Sequence, residues 1–278
     1  MNYIYSILKS NRFKLLAIYS YLLAGQLLQL VEPYVLGKTI DGLLSSSYTW
    51  LWCFLGLELL LNLLMYRRML YDTKVYTKIY NEVVFKYLKT DSKSNSSSKN
   101  ARVDMAHSIV NFLEHDVHYY IMASVSIIGA LIFIFSQHLL TGLVVMLAVG
   151  PIAVIAKIFY PIIAKSTRIS NNHYEQKFAA IESNEFSLID SYYKRRKRVL
   201  TYESTLQGKN WASVNSTKTI FLVLALIAFT HKNTGLTQGQ AISMFSYINQ
   251  FLISLMSIPV GVEIHSRIRD VLKRIQIT

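Results

Sequence analysis

The chain carries one cysteine, Cys53, in 278 residues. That leaves no internal disulfide, no CxxC pair and no cysteine-based zinc cluster. Proline and glycine are scarce, at four and 11 residues, so long stretches hold nothing that would stop a helix. Charge is thin as well. Asp, Glu, Lys and Arg make up 16% of the chain and apolar residues 52%, where a soluble domain carries about 25% charged residues. Mean hydropathy is +0.30. The charge present is lopsided, 29 Lys and Arg against 16 Asp and Glu, for a net +13.

A surplus of that size points to nucleic acid when it forms a patch on a soluble domain. Its distribution points elsewhere. The basic residues cluster before Leu15, from Arg67 to Arg102, from Lys157 to Lys218 and from Arg267 to Arg274, while the candidate turns at 45–49, 136–138 and 231–239 hold only Lys232. This is the positive-inside pattern of a multi-pass protein of the cell inner membrane, with both termini and two long loops cytoplasmic.

The longest apolar run, Leu15–Leu44, spans 30 residues, more than the roughly 20 that cross a bilayer. It is too long for a signal peptide, and no small-x-small cleavage site follows it. The chain divides into an interfacial helix over 1–13 and spans at about 15–44, 50–66, 117–135, 139–163, 214–229 and 240–264, which makes it an all-α, six-span membrane domain. Span two continues past Arg67 as an amphipathic helix, with Val75, Ile79 and Val83 in one row and Tyr76, Tyr80 and Val84 in the next. Such a helix would reach ~35 Å beyond the membrane at 1.5 Å per residue. The returning segment offers Val103, Ala106, Val110, Leu113 and Val117, the spacing of a packed seam. A second long excursion covers Ala164 to about Ser213.

This layout resembles the transmembrane domain of ABC exporters over nearly the whole chain. Pro33, Gly37, Ile40 and Asp41 match that family's P-x-x-x-G-x-x-I-D pattern. Gly235, Leu236, Thr237 and Gly239, followed by Phe245 and Tyr247, are similar to its turn before the sixth helix, and Asn111–Val117 to its Asp-Val pattern. The resemblance implies two copies, or a similar partner domain, enclosing a central polar cavity that opens by alternating access. Two departures accompany it. No ATP-binding motif is expected: Gly37-Lys38-Thr39 reads as a P-loop tail, but Glu32 stands where the first glycine belongs. The loop 91–100, where exporters place a coupling helix, is serine-rich with no apolar residue and reads as linker. The second loop, 190–199, is dominated by Lys194–Arg198. ATP would therefore act only through a separate subunit, and the chain itself is read as neither enzyme nor cofactor protein.

The candidate functional residues are polar groups inside apolar spans. Gln26, Gln29 and Glu32 follow i, i+3 spacing on span one, and Glu58 and Asn62 stand i, i+4 on span two. Charges in such places mark ion or substrate paths, or else meet a partner on a neighbouring helix. Glu263 stands at the inner end of span six, within reach of headgroups. Span six carries Ser243, Tyr247, Gln250, Ser254, Ser257 and Gly261 on one face. Small residues there serve tight helix packing, and Tyr247 and Gln250, being larger, fit a cavity wall. His115, Asp116 and His118 place only two ligands on one side and make no metal site. The reading is of a transporter of a peptide or amphipathic solute, driven by a separate ATPase or a proton gradient. The alternative is a non-transporting membrane adaptor. With Cys53 replaced by serine, single cysteines placed at 45–49, 136–138 or 231–239 should react with an impermeant maleimide added outside. Cysteines at 91–100 or 190–199 should not, and labelling of the serine-rich segment would reverse the orientation.

Overall fold

The computed structural model describes residues 9–90, 107, 110–231, 235–257, 261 and 264. Every element among them is helical: α1 Arg12–Leu44, α2 Thr49–Thr90, a π-helical turn Phe112–Asp116, α3 Val117–Gln137, α4 Leu139–Leu147, α5 Val149–Glu182, α6 Phe186–Thr230 and α7 Gln238–Leu255. The expected linker 91–100, most of the interfacial helix, Val103, Ala106, Lys232, Glu263 and the basic tail lie outside the described residues.

The molecule is apolar on its outside. Leu23 and Leu27 of α1, Leu59 and Leu63 of α2, Ile128 and Ile132 of α3, Val154 and Ile158 of α5 and Val223 and Ile227 of α6 are all exposed. Water would not tolerate so continuous a surface, whereas lipid tails require it. Among the described residues, five helical stretches are long and apolar enough to cross a membrane: Arg12–Leu44, Thr49–Phe85, Phe112–Gln137, Leu139–Ser170 and Phe186–Thr230. The sixth expected span, 240–264, is described only in part. Its helix α7 has 18 residues and is the most enclosed element, with Met244, Tyr247, Ile248, Phe251 and Leu252 wholly buried among α3, α4, α5 and α6. Ile242, Phe245 and Ile253 keep an exposed apolar side, while the buried face accommodates its serines by packing.

Three turns join the helices at one end, which we call the short-turn side. Ser46 adopts the left-handed region at φ 59°, and the Ser45 hydroxyl donates to the carbonyls of Asp41 and Gly42, closing α1 onto α2. His138 is extended and its Nδ1 accepts from the Thr141 backbone N–H, capping α4. Thr237 and Gln240 form a reciprocal capping box at the start of α7. The span after His138 breaks at Ala148, immediately before Gly150 and Pro151, where proline withholds a backbone donor.

On the opposite side the helices run far past the apolar band. Val75, Tyr76, Ile79 and Val83 pack with Leu15, Ile18 and Val110 as a second, separate core, the row read from the sequence. The second excursion departs from expectation. Residues 190–199 are not a loop but part of α6, because Lys and Arg favour helix and no Gly or Pro interrupts them. The turn lies earlier, at Ser183–Glu185, where Asn184 takes φ 51°, a conformation asparagine tolerates. Lys194 pairs with Asp190 one turn away at 2.6 Å.

Gly37 of α1 and Gly239 of α7 approach backbone to backbone. A Cβ on Gly37 would collide with the Gly239 carbonyl and the Ser243 hydroxyl, and a Cβ on Gly239 with the Gly37 carbonyl. Gly37→Leu should therefore force α1 and α7 apart and cost at least the ~1–3 kcal/mol of an overpacked core. Gly56→Leu, where a Cβ meets nothing within 4 Å, should leave stability unchanged. Thermal unfolding in mild detergent, followed by tryptophan fluorescence, compares the two.

Candidate functional site

The α1–α2 hairpin sets the register of everything between its arms. Thr39 donates its hydroxyl to the Trp50 carbonyl at 3.0 Å near the turn. Continuing in that register brings Glu32 opposite Glu58 and Tyr21 opposite Arg68, and these residues line one cavity of about 110 Å³ with Gln26, Gln29, Asn62, Leu61, Met65 and Met122. Five of the seven residues singled out from the sequence, Gln26, Gln29, Glu32, Glu58 and Asn62, thus share one site. Glu32 lies 12 residues from the end of α1 and Glu58 nine from the start of α2, or ~14–18 Å at 1.5 Å per residue. That is close to the middle of a hydrocarbon core ~30 Å thick.

Among the described residues, no Lys, Arg or His forms an ion pair with Glu32 or Glu58. The one guanidinium in the cavity wall is engaged at the other end. Arg68 Nε lies 3.3 Å from Asp72 Oδ2, and its Nη1 lies 3.4 Å from His118 Nε2. Gln26, buried at 4% exposure, is fixed by its Nε2 donating to Ser126 Oγ on α3 at 2.9 Å. The cavity therefore has a rigid amide on one wall, two carboxylates at mid-membrane and a compensated arginine where the band ends. A carboxylate in low dielectric is stable when a proton or a cation neutralises it, so the site suits both.

Tyr247 and Gln250 are not part of this cavity. Tyr247 is fully buried, donates its hydroxyl to the Leu30 carbonyl at 2.9 Å and stacks on Phe133 with ring centroids 4.6 Å apart. Its size serves a buried clamp rather than a cavity wall, its hydroxyl joining α7 to an α1 carbonyl close to Pro33. Ser243 does the same, donating to the Pro33 carbonyl at 2.8 Å. Gln250 buries its Oε1 without a hydrogen-bond partner among the described residues. Farther along, the Tyr120 hydroxyl donates to the Gly261 carbonyl at 2.6 Å, so the small face of α7 is a packing face.

Sequence reasoning missed the Arg68–Asp72 pair and weighed His118 only as a metal ligand. The i, i+4 spacing of Arg68 and Asp72 was readable, whereas His118 follows the π-helical turn, 50 residues away from Arg68 in the chain. That turn spreads backbone carbonyls, and the Tyr76 hydroxyl donates to one of them, Leu113 O, at 3.1 Å.

A second cavity, about 290 Å³, opens at the short-turn side beside Lys38, Gln137 and Phe229. Its floor is the joint between the two sequence motifs. Asp41 accepts from the Thr237 hydroxyl at 2.7 Å and from the Gly239 N–H at 2.8 Å, so the carboxylate of one motif caps the helix opened by the other.

Apolar helices around a polar mid-membrane cavity define a polytopic membrane protein of transporter architecture. The chain belongs to the family described as the ABC transporter transmembrane region, whose model matches residues 4–239. No curated protein matches it.

Arg68 and Asp72 are largely buried, at 20% and 14% side-chain exposure. Arg68→Leu should leave Asp72 uncompensated and lower stability by ~3 kcal/mol, as for other broken buried pairs. The double variant Arg68→Leu/Asp72→Leu should recover most of that loss. A double-mutant cycle of unfolding in detergent measures both effects.

Proposed function

We propose that this chain is the membrane-spanning half of a transporter that moves a peptide or amphipathic solute across the inner membrane by alternating access. The observation that carries the reading is the cavity between α1 and α2, where Glu32 and Glu58 face each other at mid-membrane. A carboxylate pair is costly to keep there unless it exchanges a proton or solute between two access states. This favours a proton gradient as the energy source. A separately encoded ATPase subunit is the other source that family membership admits.

A second membrane domain, identical or similar, completes the assembly in this reading. Phe186, Tyr193, Leu200 and Trp211 are exposed along α6 and fall within about 40° of one another at 100° per residue. Except near Trp211, this stripe runs beyond the apolar band, where an aromatic seam facing water calls for a protein partner. The membrane part of α2 is bare as well, with Leu55, Leu59, Leu60 and Leu63 exposed. Both termini are placed on the cytoplasmic side by the basic clusters.

The test is uptake of a mixed peptide pool into proteoliposomes under an imposed pH gradient, read by mass spectrometry, with and without ATP and a candidate ATPase subunit. Glu32→Gln and Glu58→Gln should each lower gradient-driven uptake at least tenfold while dimer and helicity persist. Unchanged uptake in both variants would reject the carboxylates as coupling groups. Uptake that needs ATP and survives both substitutions would assign the energy to an ATPase. No uptake by the wild type under any condition would favour a membrane adaptor.

A further inference from the structure

We infer that the cavity between α1 and α2 takes an organic cation, an ammonium or guanidinium on an apolar body, and takes it in exchange for a proton. This rests on reading the cavity as the solute path and names the class of solute.

The argument begins with charge. Glu32 on α1 and Glu58 on α2 stand at the same depth of the apolar band and line the same cavity. The titratable and charged groups that face them can be named helix by helix. On α1 these are Tyr21, about three turns toward the extensions, and Tyr34, nearer the short turns. On α2 it is Arg68, ten residues from Glu58 and thus ~15 Å along the helix. On α3 it is His118, which contacts Arg68 at 3.4 Å. On α7 it is Tyr247, whose hydroxyl is spent on the Leu30 carbonyl. Arg68 itself is held by Asp72 at 3.3 Å. Among these groups none supplies a positive charge to the glutamates, so neutralisation must come from a proton or from a bound cation.

The walls say which cation. A metal ion wants a shell of oxygens at 2.0–2.6 Å on every side, and nothing apolar among them. Here Glu32 and Glu58 stand at one end, Leu22, Leu61, Met65 and Met122 line the length, and Arg68, paired with Asp72, stands at the other end. That is an anionic end joined to a largely apolar sleeve. Two methionines suit a body of variable shape, because the thioether chain is flexible and polarisable. The volume, about 110 Å³, is below the ~150 Å³ of an engineered protein cavity that binds benzene. A compact amine, or one basic side chain of a longer peptide, is the size that fits.

Proton and cation then compete for the same two oxygen groups. When the cation enters, the carboxylates must be ionised to hold it, and protons leave. When the cation leaves for water, the carboxylates remain in a low-dielectric space and protons return. A single cavity that obeys this rule and opens alternately to either side moves the cation one way and protons the other.

The experiment measures binding, so it does not depend on transport. The full chain in mild detergent is titrated calorimetrically with tetramethylammonium, a compact cation that has no proton of its own to lose. Any proton released therefore comes from the protein, and buffers of different ionisation enthalpy count it. The expected result is release of about one proton, and affinity that falls up to tenfold per pH unit as pH is lowered. Methanesulfonate, a compact body carrying an anion, should bind at least tenfold more weakly. Glu32→Gln/Glu58→Gln should abolish binding of the cation, while Glu58→Asp, which keeps the charge, should retain it within tenfold.

Binding that does not change with pH would overturn the proposal, as would equal affinity for the sulfonate or unchanged affinity in the double glutamine variant. If that variant does not fold, the pH dependence and the sulfonate comparison on the wild type decide the matter. Cation binding with proton release but no uptake into proteoliposomes would uphold this site and reject the transport reading. Gradient-driven peptide uptake without any binding of the cation would do the reverse.

Discussion

The backbone contact between Gly37 and Gly239 is the constraint on which the arrangement of helices depends. With no side chain between them, α1 and α7 approach until carbonyls and hydroxyls of one helix reach the other. Asp41 then caps α7 from α1, and Ser243 and Tyr247 satisfy carbonyls beside Pro33. In a bilayer no water competes for these groups, and association between helices comes from close packing and such hydrogen bonds. A centrally held α7 can afterwards collect α3, α4 and α6 around its apolar residues.

Because α1 is committed to α7 near the short turns, its other face is left to α2. The two helices meet as a hairpin, and their polar residues come into register across it. Proline has a part in this. Pro33 lies one residue from Glu32, and its carbonyl accepts from Ser243 of α7 while Glu32 lines the cavity beside α2. A packing contact and a cavity wall are thereby built from adjacent residues.

The extensions obey different physics. Beyond the apolar band water returns, and Val75, Tyr76, Ile79 and Val83 bury against α1 by the ordinary hydrophobic effect. The aromatic stripe on α6 follows the same rule and is left exposed in one chain. Between the two regimes, at the boundary, lie Arg68, Asp72 and His118, where charge can still reach solvent.

The sequence by itself determined the class of molecule. Length of apolar run, positions of basic residues and the scarcity of Gly and Pro are local properties, and each span reports its own. The rows of the α2 extension were legible for the same reason, since a helical period is written in neighbouring residues. So were Gln26, Gln29, Glu32, Glu58 and Asn62, because a polar side chain in an apolar run stands out without a structure. Tertiary structure alone decided which of them meet. It turned Tyr247 from a cavity wall into a clamp, made residues 190–199 part of α6 and buried one face of α7 among the other helices. It also joined Arg68 to His118, 50 residues apart in the chain. Such pairings depend on hairpin register and on close backbone contact, which are properties of two helices at once and which neither sequence stretch records.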